Sequence, residues 1–288
     1  VVGMNVFINI LEQGLIFSIA ALGVYITYKI LDFPDLSVDG TFPLGAAVTA
    51  ACIMKGMNPF IACILALVAG SIGGLITGIL HVKFKITNLM SGILVMIALY
   101  SINLRIMTKA NIPLFGKETI FSNALEPLII ITMFFVIVKI ILDLFLNTKV
   151  GFLLKAVGDN EQLLTSLAVN KDKVKILGLM ISNGFVALAG SIMAQQQGFA
   201  DVGMGTGTVV MGLAAVIMGE AILGRVKLFK ASTMVVFGSI IYKGVVALAL
   251  QLGLAPTDLK LITAIIVVIA LSVNSKSIKF NVFRKATL

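Results

Sequence analysis

Charge is what this chain has least of. Only 12% of its 288 residues are Asp, Glu, Lys or Arg and 59% are hydrophobic, against about 25% charged and 45–50% apolar in a soluble domain. With a mean hydropathy of +1.10, a soluble globular protein is excluded. There is no tryptophan, one histidine and a single pair of cysteines. His81 stands beside a basic loop, while Cys52 and Cys63 lie in apolar stretches. That inventory gives a metal site almost nothing to build on, and two such thiols read as membrane-helix filler rather than a disulfide. The phosphate-cradling pattern G-x-x-x-x-G-K-[ST] is absent, and no nucleophile stands with a convincing base. A membrane-embedded enzyme therefore ranks behind any transport reading. Residues 1–9 show no basic segment or small-residue cleavage site, so a removable leader is not expected there.

What the chain has is long apolar runs. A transmembrane helix needs about 20 mostly apolar residues in a row, and suitable stretches lie near 11–31, 41–55, 58–80, 88–107, 126–146, 176–196, 205–224, 231–251 and 259–274. The expectation is an all-α polytopic membrane protein of about 8–10 transmembrane helices forming one membrane domain, 1–288. Glycine and small residues recur inside the runs, as in "LVAGSIGGLITG" (67–78) and "VALAGSIMA" (186–194), which suits close helix packing in lipid.

The formal charge of +9, from 22 basic and 13 acidic residues, falls largely in four places. These are Lys83 and Lys85, then Lys149 to Lys175, then Arg225 to Lys230, then the tail after Lys276. All four share one side if the spans are counted correctly, and the positive-inside rule makes that side cytoplasmic. The N-terminus is then outside and the C-terminus cytoplasmic. The basic excess reports contact with anionic membrane lipid, not nucleic acid.

The scarce acids concentrate in residues 30–46, "ILDFPDLSVDGTFPLGA". Pro34, Gly40 and Pro43 make an unbroken helix there improbable, so a break or re-entrant turn is expected. Such backbone is tolerated at membrane depth only where protein or a watery cavity satisfies it. A related segment occurs later: after a one-residue gap, Phe33, Asp35, Gly40-Thr41 and Gly45 align with Phe199, Asp201, Gly207-Thr208 and Gly212. The copies lie five spans apart and so run in opposite directions, giving an inverted repeat with halves at about 11–107 and 176–274. Chance similarity between glycine-rich segments is the competing explanation.

Asp32, Asp35 and Asp39 have three readings: capping a helix start, contacting a cationic or zwitterionic substrate, or carrying protons. Asp39 before Gly-Thr-Phe-Pro suggests a helix start with proline in the first turn, and capping with pathway shaping is favoured. Phe33, Gln197, Phe199 and Asp201 are candidate pathway residues through the repeat, although Gln195 to Gln197 serve equally to satisfy a helix end. Glu220, the only acid in its span, is either a gate or a paired acid. Lys243, well inside another span, needs a partner or a cavity, while Lys139 and Asp143 form the obvious i,i+4 pair.

The segment 147–175 is too polar to cross lipid and too patterned for a loose linker. Leu163, Leu164, Leu167 and Ala168 recur at helical spacing after Asp159-Asn160, predicting a short amphipathic helix on the membrane surface. In this segment Gly151, Lys155, Ala156-Val157-Gly158, Asn160 and Ala168-Val169-Asn170 resemble the ATPase-coupling loop of ABC importer permeases of the branched-chain amino acid and ribose class. Residues 31–48 look like the N-terminal signature of a subgroup associated with aromatic amino acid uptake. Lys155 departs from the arginine more usual in that class, which alters any bidentate contact.

The resemblance implies a bacterial cell-membrane permease that pairs with a second copy as a homodimer, served by an extracellular or lipid-anchored binding protein. It also implies cytoplasmic ATPase subunits that hold ATP and Mg, with no cofactor in this chain. On that reading Gly151, Lys155, Ala156, Val157, Gly158, Asp159, Asn160 and Glu161 form the coupling segment, Gly158 turning the backbone into the helix and Asp159 or Asn160 capping it. The rival is an ion-coupled secondary transporter using the intramembrane acids and Lys243.

Overall fold

The computed structural model describes residues 2–122, 126–159, 170–224 and 229–253, with 261, 263–265 and 268 beyond them. The protein is an all-α polytopic membrane protein. Its helices are α1 (Val2–Tyr25), α2 (Val38–Met54), α3 (Pro59–Val82), α4 (Asn88–Met107), α5 (Pro127–Leu146), α6 (Lys149–Asp159), α7 (Lys171–Gln197), α8 (Thr208–Leu223) and α9 (Ala231–Gln251). Among the described residues six stretches are long and apolar enough to cross a membrane: α3, α4, α5, α7, α9, and α1 extended through a π-type turn at Ile26–Ile30. Eight of the expected spans thus coincide with helices, while the one near 259–274 lies almost wholly outside the described residues.

Helix boundaries follow local chemistry. Asn58 accepts a hydrogen bond from Phe60 N (2.9 Å) with Pro59 first in α3, and Asn170 accepts from Lys173 N (3.1 Å) at the start of α7. Both are side-chain oxygens satisfying orphan amides at a helix N-terminus. Gly198, with φ of 76°, ends α7 in the left-handed conformation that glycine adopts without a Cβ penalty.

The two shorter apolar helices, of 17 and 16 residues, carry the two segments that align in the sequence. Each follows an interrupted stretch, 31–37 before α2 and 198–207 before α8. The matched aspartates do the same local job: Asp35 Oδ1 accepts from Ser37 N (2.8 Å) and Asp201 Oδ1 from Gly203 N (2.7 Å). Each of the two helices docks on a helix from the other end of the chain. Gly45 of α2 lies against the Ala187 backbone of α7, and its counterpart Gly212 of α8 lies against Val24 of α1. Likewise α3 packs along α7 and α9 along α1.

Helix α7 is the most enclosed span. Gly184 approaches Ser71 and Leu67 of α3, and Gly190 approaches the Phe42 carbonyl of α2. In lipid, where tails are as apolar as leucine, such close backbone approach is a main source of association. Outer faces remain greasy, with Ile64 and Ile72 of α3, Ile97 of α4 and Ile140 and Leu144 of α5 exposed. A two-stranded antiparallel ribbon pairs β1 (Asn111–Pro113) with β2 (Phe199–Asp201), tying the segment before α8 to the α4–α5 connection.

Two sequence expectations need correction. Pro43 lies inside α2 rather than in its first turn, because the helix already begins at Val38. The 147–175 segment also carries α6, ahead of the leucine-spaced stretch. Gly158 is therefore helical, and its missing side chain admits the Ile30 carbonyl instead of making a turn. Asn160, Glu161 and the leucines at 163, 164 and 167 lie outside the described residues.

Candidate functional site

The two broken helices meet end to end. Asp39, in the first turn of α2, accepts hydrogen bonds from Gly207 N (2.9 Å) and Val209 N (2.8 Å) at the start of α8. A helix N-terminus carries unpaired amides and about half a positive charge, so a carboxylate is the natural group to place there. Asp39 does cap a helix, but the cap is on α8 rather than on its own helix. Gly205 fits against the Asp39 carbonyl and the Pro43 ring, where a Cβ has no room.

Asp35 is buried one turn away and is fully engaged. Asn183 of α7 donates to it through Nδ2 (2.8 Å), while Asn183 Oδ1 accepts from Thr41 Oγ1 (2.8 Å) and Ser37 Oγ (3.2 Å). Asn183 Nδ2 also reaches the Leu179 carbonyl (3.1 Å). A complete buried network of this kind rigidifies its surroundings. It fixes the first break on α7.

Beside Asp39 a cavity of about 410 Å³ opens between α2, α4 and the segment before α8, bounded by Pro43, Met96, Tyr100, Ser101 and Thr206. That is within the roughly 300–1,000 Å³ of small-molecule sites. Asn103 of α4 also borders it, donating Nδ2 to the Gly40 carbonyl (3.1 Å). Its Oδ1 is the buried side-chain polar atom left without a partner among the described residues, a condition costing about 1–3 kcal/mol. An acid, an orphan amide oxygen and hydroxyls around an apolar floor suit a small solute carrying a donor at one end.

The remaining sequence candidates are dispersed. Phe33 packs edge-on against His81 (5.1 Å between ring centres). Gln197 is exposed at the end of α7, Phe199 pairs with Pro113 in the ribbon, and Asp201 accepts from Asn111 Nδ2 (3.3 Å). Glu220 forms an ion pair with Lys29 (3.0 Å). Lys243 faces the Phe17 ring across the α1–α9 contact. Gln195 is structural, accepting from Ile120 N (3.0 Å) and donating to Cys63 Sγ (3.2 Å). Asn183, Asn103 and Lys29 were not legible in the sequence, since nothing local marks a residue whose partner lies far along the chain.

At the other end of the molecule α6 docks through Gly151, Leu154 and Val157. Lys155 Nζ donates to the Leu146 carbonyl at the end of α5 (3.3 Å), a favourable place for a cation. Lys149, Phe152, Lys155 and Asp159 form an exposed stripe at helical spacing. Asp143 joins this end to α9, accepting from Lys139 (2.9 Å), Lys230 (3.4 Å) and Ser232 (2.6 Å).

The sequence profile of the branched-chain amino acid transport system permease component matches residues 6–272. The chain belongs to that family. It is 51% identical over 278 residues to the tyrosine transport system permease protein of Clostridioides difficile (strain R20291), covering 96% of this chain and 94% of that one. It is 41% identical to protein RP368 of Rickettsia prowazekii (strain Madrid E), over 93% and 98% of the two chains. The ribose import permease protein RbsC of Escherichia coli (strain K12) is 26% identical over 75% of this chain and 69% of that relative. This permease is a transport subunit.

Proposed function

We propose that this permease is the membrane subunit of an ABC importer for an amino acid, with an aromatic one such as tyrosine the favoured substrate. The observation that carries the reading is the convergence of two half-helix N-termini on Asp39 beside the 410 Å³ cavity. Transporters with inverted repeats place their solute sites at such breaks. The amino acid's ammonium would face Asp39 and the Asn103 oxygen, with its ring over Met96, Pro43 and Tyr100. The relative named for tyrosine transport supports the choice of substrate class.

Energy would come from cytoplasmic ATPase subunits docking on the exposed stripe of α6 around Phe152. An extracellular or lipid-anchored binding protein would deliver substrate, and a second copy would complete the path in a bacterial cell membrane, with the C-terminus cytoplasmic. The ion-coupled alternative loses ground because Asp35 and Asp39 are engaged by backbone and amide donors that hold the fold together.

Uptake of radiolabelled tyrosine by cells carrying the intact transport system tests the substrate. Asn103→Leu and Ser101→Ala should each lower the transport rate about 10-fold or more, the effect expected for losing a polar contact to substrate of about 1.4 kcal/mol. Unchanged tyrosine uptake in both variants would remove the cavity from the path.

A further inference from the structure

Lys243 lies well inside α9 and is not used by the reading above. Its Nζ sits 5.1 Å from the centre of the Phe17 ring, and among the described residues it makes no ion pair. Helix α9 carries no acid, and the single acid of α1, Glu12, turns away to accept from Gln196 Nε2 of α7 (3.2 Å). An intramembrane cation without a carboxylate calls for an anion or water.

Room for one lies beside it. A cavity of about 220 Å³ between α1 and α9 is bordered by Asn9, Gln13, Lys243 and Gln251, with Val6 and Ile10 as part of its apolar wall. Gln13 Nε2 donates to Asn9 Oδ1 (3.2 Å). That bond consumes an acceptor and leaves amide hydrogens of both residues free to donate. The wall thus presents an ammonium and several N–H groups, the complement of a planar or tetrahedral oxyanion.

We propose that this cavity is an oxyanion site centred on Lys243, taking a carboxylate or phosphate group. Two sources carry that chemistry: the carboxylate of the transported amino acid, which rests on the importer reading, and the phosphate of an anionic lipid, which does not.

The test uses the full chain in lipid nanodiscs, with unfolding followed by far-ultraviolet circular dichroism. Exchanging part of the phosphatidylcholine for phosphatidylglycerol should raise the midpoint by roughly 2–4 °C if lipid phosphate fills the site. Millimolar tyrosine, but not tyramine, should do so in pure phosphatidylcholine if the solute carboxylate fills it. In either case Lys243→Arg keeps the shift, Lys243→Met abolishes it and Gln13→Leu, which leaves the cation in place, reduces it. No shift with either probe, or a shift that persists in Lys243→Met, overturns the site. Should Lys243→Met fail to fold, Gln13→Leu decides alone, and an undiminished shift there overturns it. A lipid shift without ATPase association would sink the importer reading and leave the site standing.

Discussion

At the scale of single residues, Asp39 has the most consequential position. Its two oxygens hold amides of a helix start 168 and 170 positions away in sequence. Asp39→Asn keeps the shape but removes the charge and one acceptor, so stability should fall by about 1–3 kcal/mol, read as a lower unfolding midpoint of the purified chain. An unchanged midpoint would mean that the clasp contributes little. Glu220 stands at the opposite extreme. Its pair with Lys29 has side chains 26% and 51% exposed, and exposed ion pairs contribute about 0–1 kcal/mol. Glu220→Gln should leave uptake within about twofold of the parent, and a much larger loss would restore the gate that its isolation in the sequence suggested. Sequence alone announced Asp35 and Asp39 because acids are so rare in this chain. It gave no sign of Asn183, a polar residue in a glycine- and alanine-rich helix that becomes a hub only when α2 is laid against it.

At the scale of elements, the account rests on close approach. A Cβ on Gly45 has no space beside the Ala187 backbone, whereas one on Gly244 meets only the tip of Ile10 at 3.9 Å. Gly45→Ala should therefore force α2 from α7 and cut the amount of folded protein recovered. Gly244→Ala should be neutral or more stable by about 0.5–1 kcal/mol, since alanine suits a helix interior better. Equal behaviour of the two in a membrane-fraction thermal melt would argue against the packing described. The apolar runs made the helices readable nearly to their ends, and Pro34 announced the first break. The early start of α2 was hidden, because the turn at 31–37 is closed by Asp35 bonding to Ser37 N, which lets helix begin ahead of Pro43. Helix α6 was legible in principle, its buried Gly151, Leu154 and Val157 recurring at three-residue spacing, but a glycine at one of the three positions does not mark a buried face.

At the scale of the whole molecule, the packing of α1 and α7 links the cavity near Asp39 to the end that carries α6. Helix α6 presses on the Ile30 carbonyl through Gly158, and Gly178 of α7 meets Leu31 and Leu154. The end of α1 leads directly into the broken segment carrying Asp35. Movement of α6 is therefore positioned to reach the two breaks through backbone contacts rather than through a flexible loop. Gly158→Leu should separate ATP hydrolysis from uptake by displacing α6 from that carbonyl. The most direct test of the account is copurification of the full chain from its native host, followed by assay of ATP hydrolysis in the recovered complex. The account predicts an ATPase subunit in stoichiometric amount that is lost on replacing the exposed Phe152 with Asp. A chain that is recovered alone and moves its solute into vesicles without ATP would contradict it.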